Sequence, residues 1–310
     1  MGIQSYLLTA AISFALVVVN PAIAADAPDI AGAPQMVVTV LPGAGGAPAG
    51  NLGPGELAVT LAKTPASVVR LEPLTGDLAG LQLFVLMDDS TRSASLSTHF
   101  KELRDFLNAL PPTTQVGIGY MRNGAVAISQ EFTADHARAA AALRLPMALP
   151  GVNGNPFFAL NDLVKHWPAQ QTANRRAVLM LTDGVDPYWG TGTMDDPYMD
   201  EAVHNALKQG VMVYSIYLRG TGLYGRNGWV TNFAQSRLIQ LGEETGGYAY
   251  FEDFRDPVDI APFLSDLRDR LDHQYQVVLA PPGEKGYLQA KLRTETKALK
   301  VTGPTLVYVP

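Results

Sequence analysis

Two apolar runs in this chain end in acidic residues. Phe84-Val85-Leu86-Met87 is followed by Asp88-Asp89-Ser90-Thr91-Arg92-Ser93, and Leu179-Met180-Leu181 is followed by Thr182-Asp183-Gly184. If the two tips meet, their carboxylates repel, and a divalent cation offsets that repulsion. Hard cations take carboxylate and hydroxyl oxygens, and Mg²⁺ keeps several waters. One or two Asp with Ser or Thr hydroxyls is therefore the expected protein share. The cation expected here is Mg²⁺, with Mn²⁺ or Ca²⁺ as alternatives.

The tips can meet only if the runs are neighbouring strands. From residue 81 onward, apolar strand-like runs alternate with amphipathic helical stretches. Strands are expected over 81–87, 115–121, 126–130, 177–182, 211–218, 248–251 and 275–279. Helices are expected over 96–109, 134–143, 157–166, 200–209, 235–245 and 257–273. Such alternation implies an α/β fold, a doubly wound and mostly parallel sheet with helices on both faces. Ala177-Val178-Leu179-Met180-Leu181 is apolar throughout, as a strand covered on both faces should be. Arg122-Asn123-Gly124 is a hairpin signal, which makes 126–130 an antiparallel edge strand. Ligands of such sheets bind outside the carboxyl ends of the strands, where strand order reverses.

The ends of the chain read differently. Residues 6–19 are apolar apart from Thr9 and Ser13, and Asn20-Pro21-Ala22-Ile23-Ala24 follows. This is the pattern of a signal peptide cleaved after Ala24, although Met1-Gly2-Ile3-Gln4-Ser5 carries no Lys or Arg. A secreted or periplasmic location is expected, with an uncleaved anchor as the alternative. Residues 25–55 are rich in Ala, Gly and Pro and read as a linker with one strand candidate at 36–40. Residues 56–80 hold accessory strands, 81–280 the α/β domain, and 281–310 further antiparallel strands. The last are expected to pair with the accessory strands as a small β-platform. The 310 residues include no cysteine, so export brings no disulfides and the fold depends on its own core. A net charge of −6 gives no drive toward nucleic acid or anionic lipid.

With these strands in place, the chain resembles the von Willebrand factor A family, and within it a bacterial group of exported relatives. The metal-ion-dependent adhesion site of that family reads Asp-x-Ser-x-Ser after the first strand, with a Thr in a later loop and an Asp after the fourth strand. Asp88 and Ser90 match the first two positions, and Arg92 stands where the second Ser belongs. A register shifted to Asp89, Thr91 and Ser93 completes the pattern, but Asp88 directly follows the apolar strand and is preferred. Asp183 matches the fourth-strand Asp. The loop Thr falls near Gly154-Asn155-Pro156, where Asn155 would offer a carbonyl oxygen instead. The similarity runs through Leu241-Gly242-Glu243-Glu244-Thr245-Gly246-Gly247-Tyr248 and Leu271-Asp272-His273-Gln274-Tyr275 to the C-terminal tail, about residues 57–310 in all. It implies a module that binds a protein partner through an acidic side chain on the metal, not an enzyme.

The rim loops carry Tyr188, Trp189, Tyr224 and Trp229, residue types that dominate interface hot spots. These are the expected partner-binding residues. Gly220-Thr221-Gly222-Leu223-Tyr224-Gly225 has dinucleotide spacing, but Arg226-Asn227-Gly228 extends the loop where a helix should begin. No G-x-S-x-G or H-E-x-x-H is present, and the five His are scattered. A metal-assisted hydrolase using Asp88 and Asp183, or a scaffold without metal, is the remaining alternative.

Overall fold

The structure is a computed structural model that describes residues 32–43, 51–90, 93–147, 155–169, 173, 175–186, 196–219 and 227–310. The signal-peptide reading of residues 1–24 lies outside them. The strands are β1 (Gln35–Pro42), β2 (Leu57–Leu61), β3 (Thr64–Ala66), β4 (Val68–Pro73), β5 (Leu81–Asp88), β6 (Thr114–Arg122), β7 (Ala125–Thr133), β8 (Arg175–Thr182), β9 (Val211–Tyr217), β10 (Tyr248–Tyr250), β11 (Gln274–Leu279), β12 (Gly286–Thr294), β13 (Leu299–Thr302) and β14 (Leu306–Val309). The helices are α1 (Ser93–Thr98), α2 (Phe100–Asn108), α3 (His136–Ala141), α4 (Pro156–Lys165), α5 (Pro197–Gln209), α6 (Gly228–Thr245) and α7 (Ala261–Asp272).

A six-stranded sheet in the order β10-β9-β8-β5-β6-β7 forms the α/β body. Its pairs are parallel except β6–β7, which is antiparallel. The hairpin turn has φ of 53° at Asn123 and 73° at Gly124, the positive pair a type I′ turn requires. Every residue of β5 and of β9 is buried, as strands covered on both faces must be. Leu83, Val85 and Met87 face one core with α2 and α7, and Phe84 and Leu86 face another with α4 and α5. The chain runs from β5 to β6 on one side and later to β8 on the other. The order therefore reverses at β5 and β8, the crevice where such sheets bind ligands.

The remaining strands form two four-stranded sheets, β13-β1-β11-β4 and β14-β12-β2-β3. They enclose one core that includes Val38, Val40, Val59, Leu61, Val277 and Val307. The two ends of the chain pair with each other, β12 with β2 and β1 with β13. Residues 35–42, which contain the strand candidate at 36–40, form β1, an inner strand. One detail differs from the sequence reading. Residues 274–279, expected to end the parallel sheet, pair antiparallel with β1 and β4. The cause is shared burial. β1 packs Val38 into the platform core and Val37 against the α/β core, so its run is apolar on both faces. An apolar run does not reveal which sheet it joins.

Candidate functional site

β5 and β8 run side by side with Met87 opposite Leu181, so Asp88 and Thr182 leave the sheet at one level and Asp183 one step beyond. Asp88 is 2% exposed. Its Oδ1 accepts hydrogen bonds from Ser90 N at 2.8 Å and Ser90 Oγ at 2.6 Å, and Thr182 Oγ1 donates to Oδ2 at 3.4 Å. Asp183 is half-buried, and its Oδ1 accepts from Val185 N at 3.0 Å. Burial pushes the Asp88 carboxyl above the usual carboxylate range, against the hydrogen bonds from Ser90 and Thr182. Asp183 is pushed up to about 7, first by burial and then by the charge of Asp88. Two carboxyls that hinder each other's ionisation titrate as a pair.

Asp89 has the opposite setting. Its Oδ1 accepts from Arg144 Nη1 at 2.8 Å and from Met147 N at 2.8 Å. The Arg144 guanidinium lies 3.7 Å from the Tyr120 ring centroid, and Tyr120 Oη bonds both N and O of Arg144. Asp89 is thus committed to Arg144. Arg92 and Thr91 lie outside the described residues.

Asn155 caps α4: its Oδ1 accepts from Phe157 N at 3.1 Å and Phe158 N at 2.9 Å. Its Nδ2 donates to Asp186 Oδ1 at 2.9 Å. The carbonyl oxygen expected to face a cation is engaged in capping, so Asn155 positions the loop after β8. Asp196 caps α5 through Tyr198 N and Met199 N and lies 3.4 Å from Arg237 Nη1. Asp186, Asp196 and Arg237 are all buried, and sequence reading gave none of them an individual role. The N-cap pattern Asp196-Pro197 could have revealed Asp196.

Of the expected partner-binding residues, Tyr188, Trp189 and Tyr224 lie outside the described residues. Trp229 starts α6 and is 76% exposed. The α6 end sits at the rim, since Tyr217 Oη at the end of β9 donates to Thr231 Oγ1 at 3.5 Å. The segment after β10 reaches the same place through Arg219 N, which donates to Asp256 Oδ1 at 2.6 Å, and Gln235 Nε2, which donates to Asp253 O at 2.6 Å. It presents Phe254 and Val258 to solvent, Val258 at 87% exposure. Sequence reading passed over both because it placed them inside or beside a helix.

Among the described residues, no group of three or more His, Cys, Asp or Glu is placed to hold a metal. The rim instead offers two carboxylates, Asp88 and Asp183, and two hydroxyls, Ser90 and Thr182. That oxygen set fits a hard cation which keeps most of its waters.

No family model matches the chain, and no curated protein matches it. Among solved structures it is similar to the conserved hypothetical protein BatB from Bacteroides thetaiotaomicron, with 15% identity and a TM-score of 0.45 over 62% of this chain and 97% of that one. An aerotolerance-related membrane protein from Bacteroides fragilis gives 12% identity and a TM-score of 0.44 over 62% and 99%. Proximal thread matrix protein 1 of the mussel byssus, solved with a zinc-occupied MIDAS motif, gives 14% and 0.43 over 64% and 46%. At such identities and scores, the chemistry of this rim must be argued from its own residues.

Proposed function

We propose that the chain is an exported von Willebrand factor A-type module that binds a protein partner at the sheet rim through a divalent cation held by Asp88, Ser90 and Asp183. One observation carries this reading. Asp88 and Asp183 converge at the switch point, and among the described residues no Lys or Arg pairs with either. Arg144 is committed to Asp89 and Arg237 to Asp196. A bound Mg²⁺, Mn²⁺ or Ca²⁺ supplies the missing positive charge and an open position for a partner's Asp or Glu carboxylate.

The chain's own residues divide the remaining work. Ser90 holds the Asp88 carboxyl in place from the loop. Thr182 spans the two strands. Asn155 and Asp186 fix the loop behind Asp183. Trp229, Phe254 and Val258 supply apolar contact area around the rim. No helix among the described residues is long and apolar enough to cross a membrane. A secreted or periplasmic place rests on the composition of residues 1–24.

Calorimetric titration of the chain lacking residues 1–24 with Mg²⁺, Mn²⁺ and Ca²⁺ tests the site. Binding to one of them is expected, and Asp88→Ala and Asp183→Ala should each abolish it while the protein stays folded. A pull-down from the envelope fraction should lose its partner when EDTA is added. A partner that survives EDTA and both substitutions would leave the module without its metal mechanism.

A further inference from the structure

The turn that carries Asp183 rests directly on a helix. Gly184 has φ of 66°, in the left-handed region. A Cβ there would lie 2.8 Å from Leu238 Cγ, 3.0 Å from Leu238 Cδ1 and 3.1 Å from Ala234 O, a backbone atom of α6. Carbon atoms in good contact sit about 3.5–4.0 Å apart, so a side chain here would force turn and helix apart by about 0.7 Å. Leu238 is 1% exposed and packs with Tyr217 and Ala249, which leaves it no room to turn aside.

α6 is a fixed seat for this turn. Thr245 Oγ1 accepts from Val213 N at 3.1 Å at one end, and Tyr217 Oη meets Thr231 Oγ1 at 3.5 Å toward the other. Between them, Arg237 Nη1 lies 3.4 Å from the buried Asp196 Oδ2. The turn passes its position on to both acids of the rim. Gly184 N donates to Thr182 Oγ1 at 3.2 Å, and Thr182 Oγ1 donates to Asp88 Oδ2 at 3.4 Å. Val185 N donates to Asp183 Oδ1 at 3.0 Å. The N–H groups on either side of the Gly184 α-carbon thus orient Asp88 and Asp183 respectively.

We propose that Gly184 is a positioning residue for the cation: its bare α-carbon lets the turn lie on Ala234 and Leu238, and this contact fixes the spacing of Asp88 and Asp183. The inference rests on the reading that a divalent cation binds these two acids, and adds which contact sets the geometry of its site. Mg²⁺ demands near-ideal octahedral geometry at about 2.0–2.1 Å, whereas Ca²⁺ accepts flexible coordination at about 2.3–2.6 Å. A disturbed seat therefore costs Mg²⁺ more than Ca²⁺, whichever way Asp183 moves.

Mg²⁺ and Ca²⁺ titrated calorimetrically into the chain lacking residues 1–24, and into its variants, provide the test. Gly184→Ala should weaken Mg²⁺ about tenfold and Ca²⁺ less than about threefold. Adding Leu238→Ala removes the atoms that the new methyl group would strike. The double variant should regain most of the Mg²⁺ affinity while still melting below wild type, because it keeps an alanine at positive φ and a partly filled cavity. A merely structural role for Gly184 would not restore binding without stability. If Gly184→Ala unfolds, Leu238→Ala alone decides the matter: it takes away the seat, and should weaken Mg²⁺ more than Ca²⁺. A wild-type chain that binds neither cation sinks the site and this inference together. A wild-type chain that binds Mg²⁺ overturns this inference alone if Gly184→Ala binds it equally well, if both cations weaken by the same factor, or if the double variant regains nothing.

Discussion

Asp88 and Asp89 are adjacent in sequence and lie in opposite electrostatic surroundings. The strand alternation places one beside Asp183 and the other beside Arg144, which lies far along the chain. The position of Asp88 at the end of an apolar strand was legible. That Arg144 serves Asp89 was not, because the contact depends on how the segment after α3 folds back. Arg144→Ala leaves Asp89, whose side chain is 1% exposed, without its cation. The expected loss is about 3 kcal/mol in urea unfolding, and Asp89→Asn in the same background should recover most of it. The Asp88–Asp183 pair makes a pH prediction of opposite kind. Asp183 has a folded-state value of about 7, above its ordinary 3.8, so between these values the folded chain holds more protons than the unfolded one. Its contribution to stability is full at low pH and is lost as pH rises through about 7. In metal-free buffer Asp183→Asn should therefore match the wild-type Tm near pH 4 and exceed it at pH 8. Added Mg²⁺ should raise the wild-type Tm more at pH 8 than at pH 5 and leave Asp183→Asn unmoved.

Among the elements, the segment Thr245-Gly246-Gly247 shows how a weak sequence signal acquires a physical cause. Gly246 ends α6 with φ of 82°, the left-handed conformation of a helix C-cap. Thr245 Oγ1 accepts from Val213 N at 3.1 Å and donates to Leu241 O at 2.7 Å, which ties α6 to β9. A Cβ on Gly247 would lie 1.9 Å from Val213 O, a backbone atom that cannot rotate away. Gly247→Ala should cost about 3 kcal/mol by thermal or urea unfolding, and Gly210→Asn, with open space around it, far less. The Asn155-Pro156 and Asp196-Pro197 steps carry a cap signal that the sequence reading did not use. The start of α6 was not legible. Its first turns carry Gly228 and Thr231, poor helix formers, and tertiary contacts at the rim override that preference.

At the level of the whole molecule, the platform and the α/β body are interleaved. β1 and β4 precede the body, β11 follows α7 directly, and β12 to β14 return to pair with β2 and β1. Strand–helix alternation made the parallel sheet legible, and the tail's alternating pattern made its antiparallel pairing legible. Nothing in an apolar run told β11 to leave one sheet for the other. The consequence concerns where the chain can be cut. A fragment of residues 81–280, the α/β domain as the sequence would divide it, carries β11 but neither β1 nor β4, its two neighbours. Val277 and Leu279 would lose the core they share with Val38 and Leu61. Gln274, which accepts from Arg175 Nη1 at 2.7 Å and donates to Tyr214 Oη at 3.1 Å, would lose the strand that holds it against the body. The fragment should therefore be insoluble or unfold without cooperativity, whereas the chain lacking residues 1–24 should melt in one transition seen alike by circular dichroism and tyrosine fluorescence. Two separated transitions in that chain, or a cooperative fragment with the wild-type Tm, would show that the body stands without the platform.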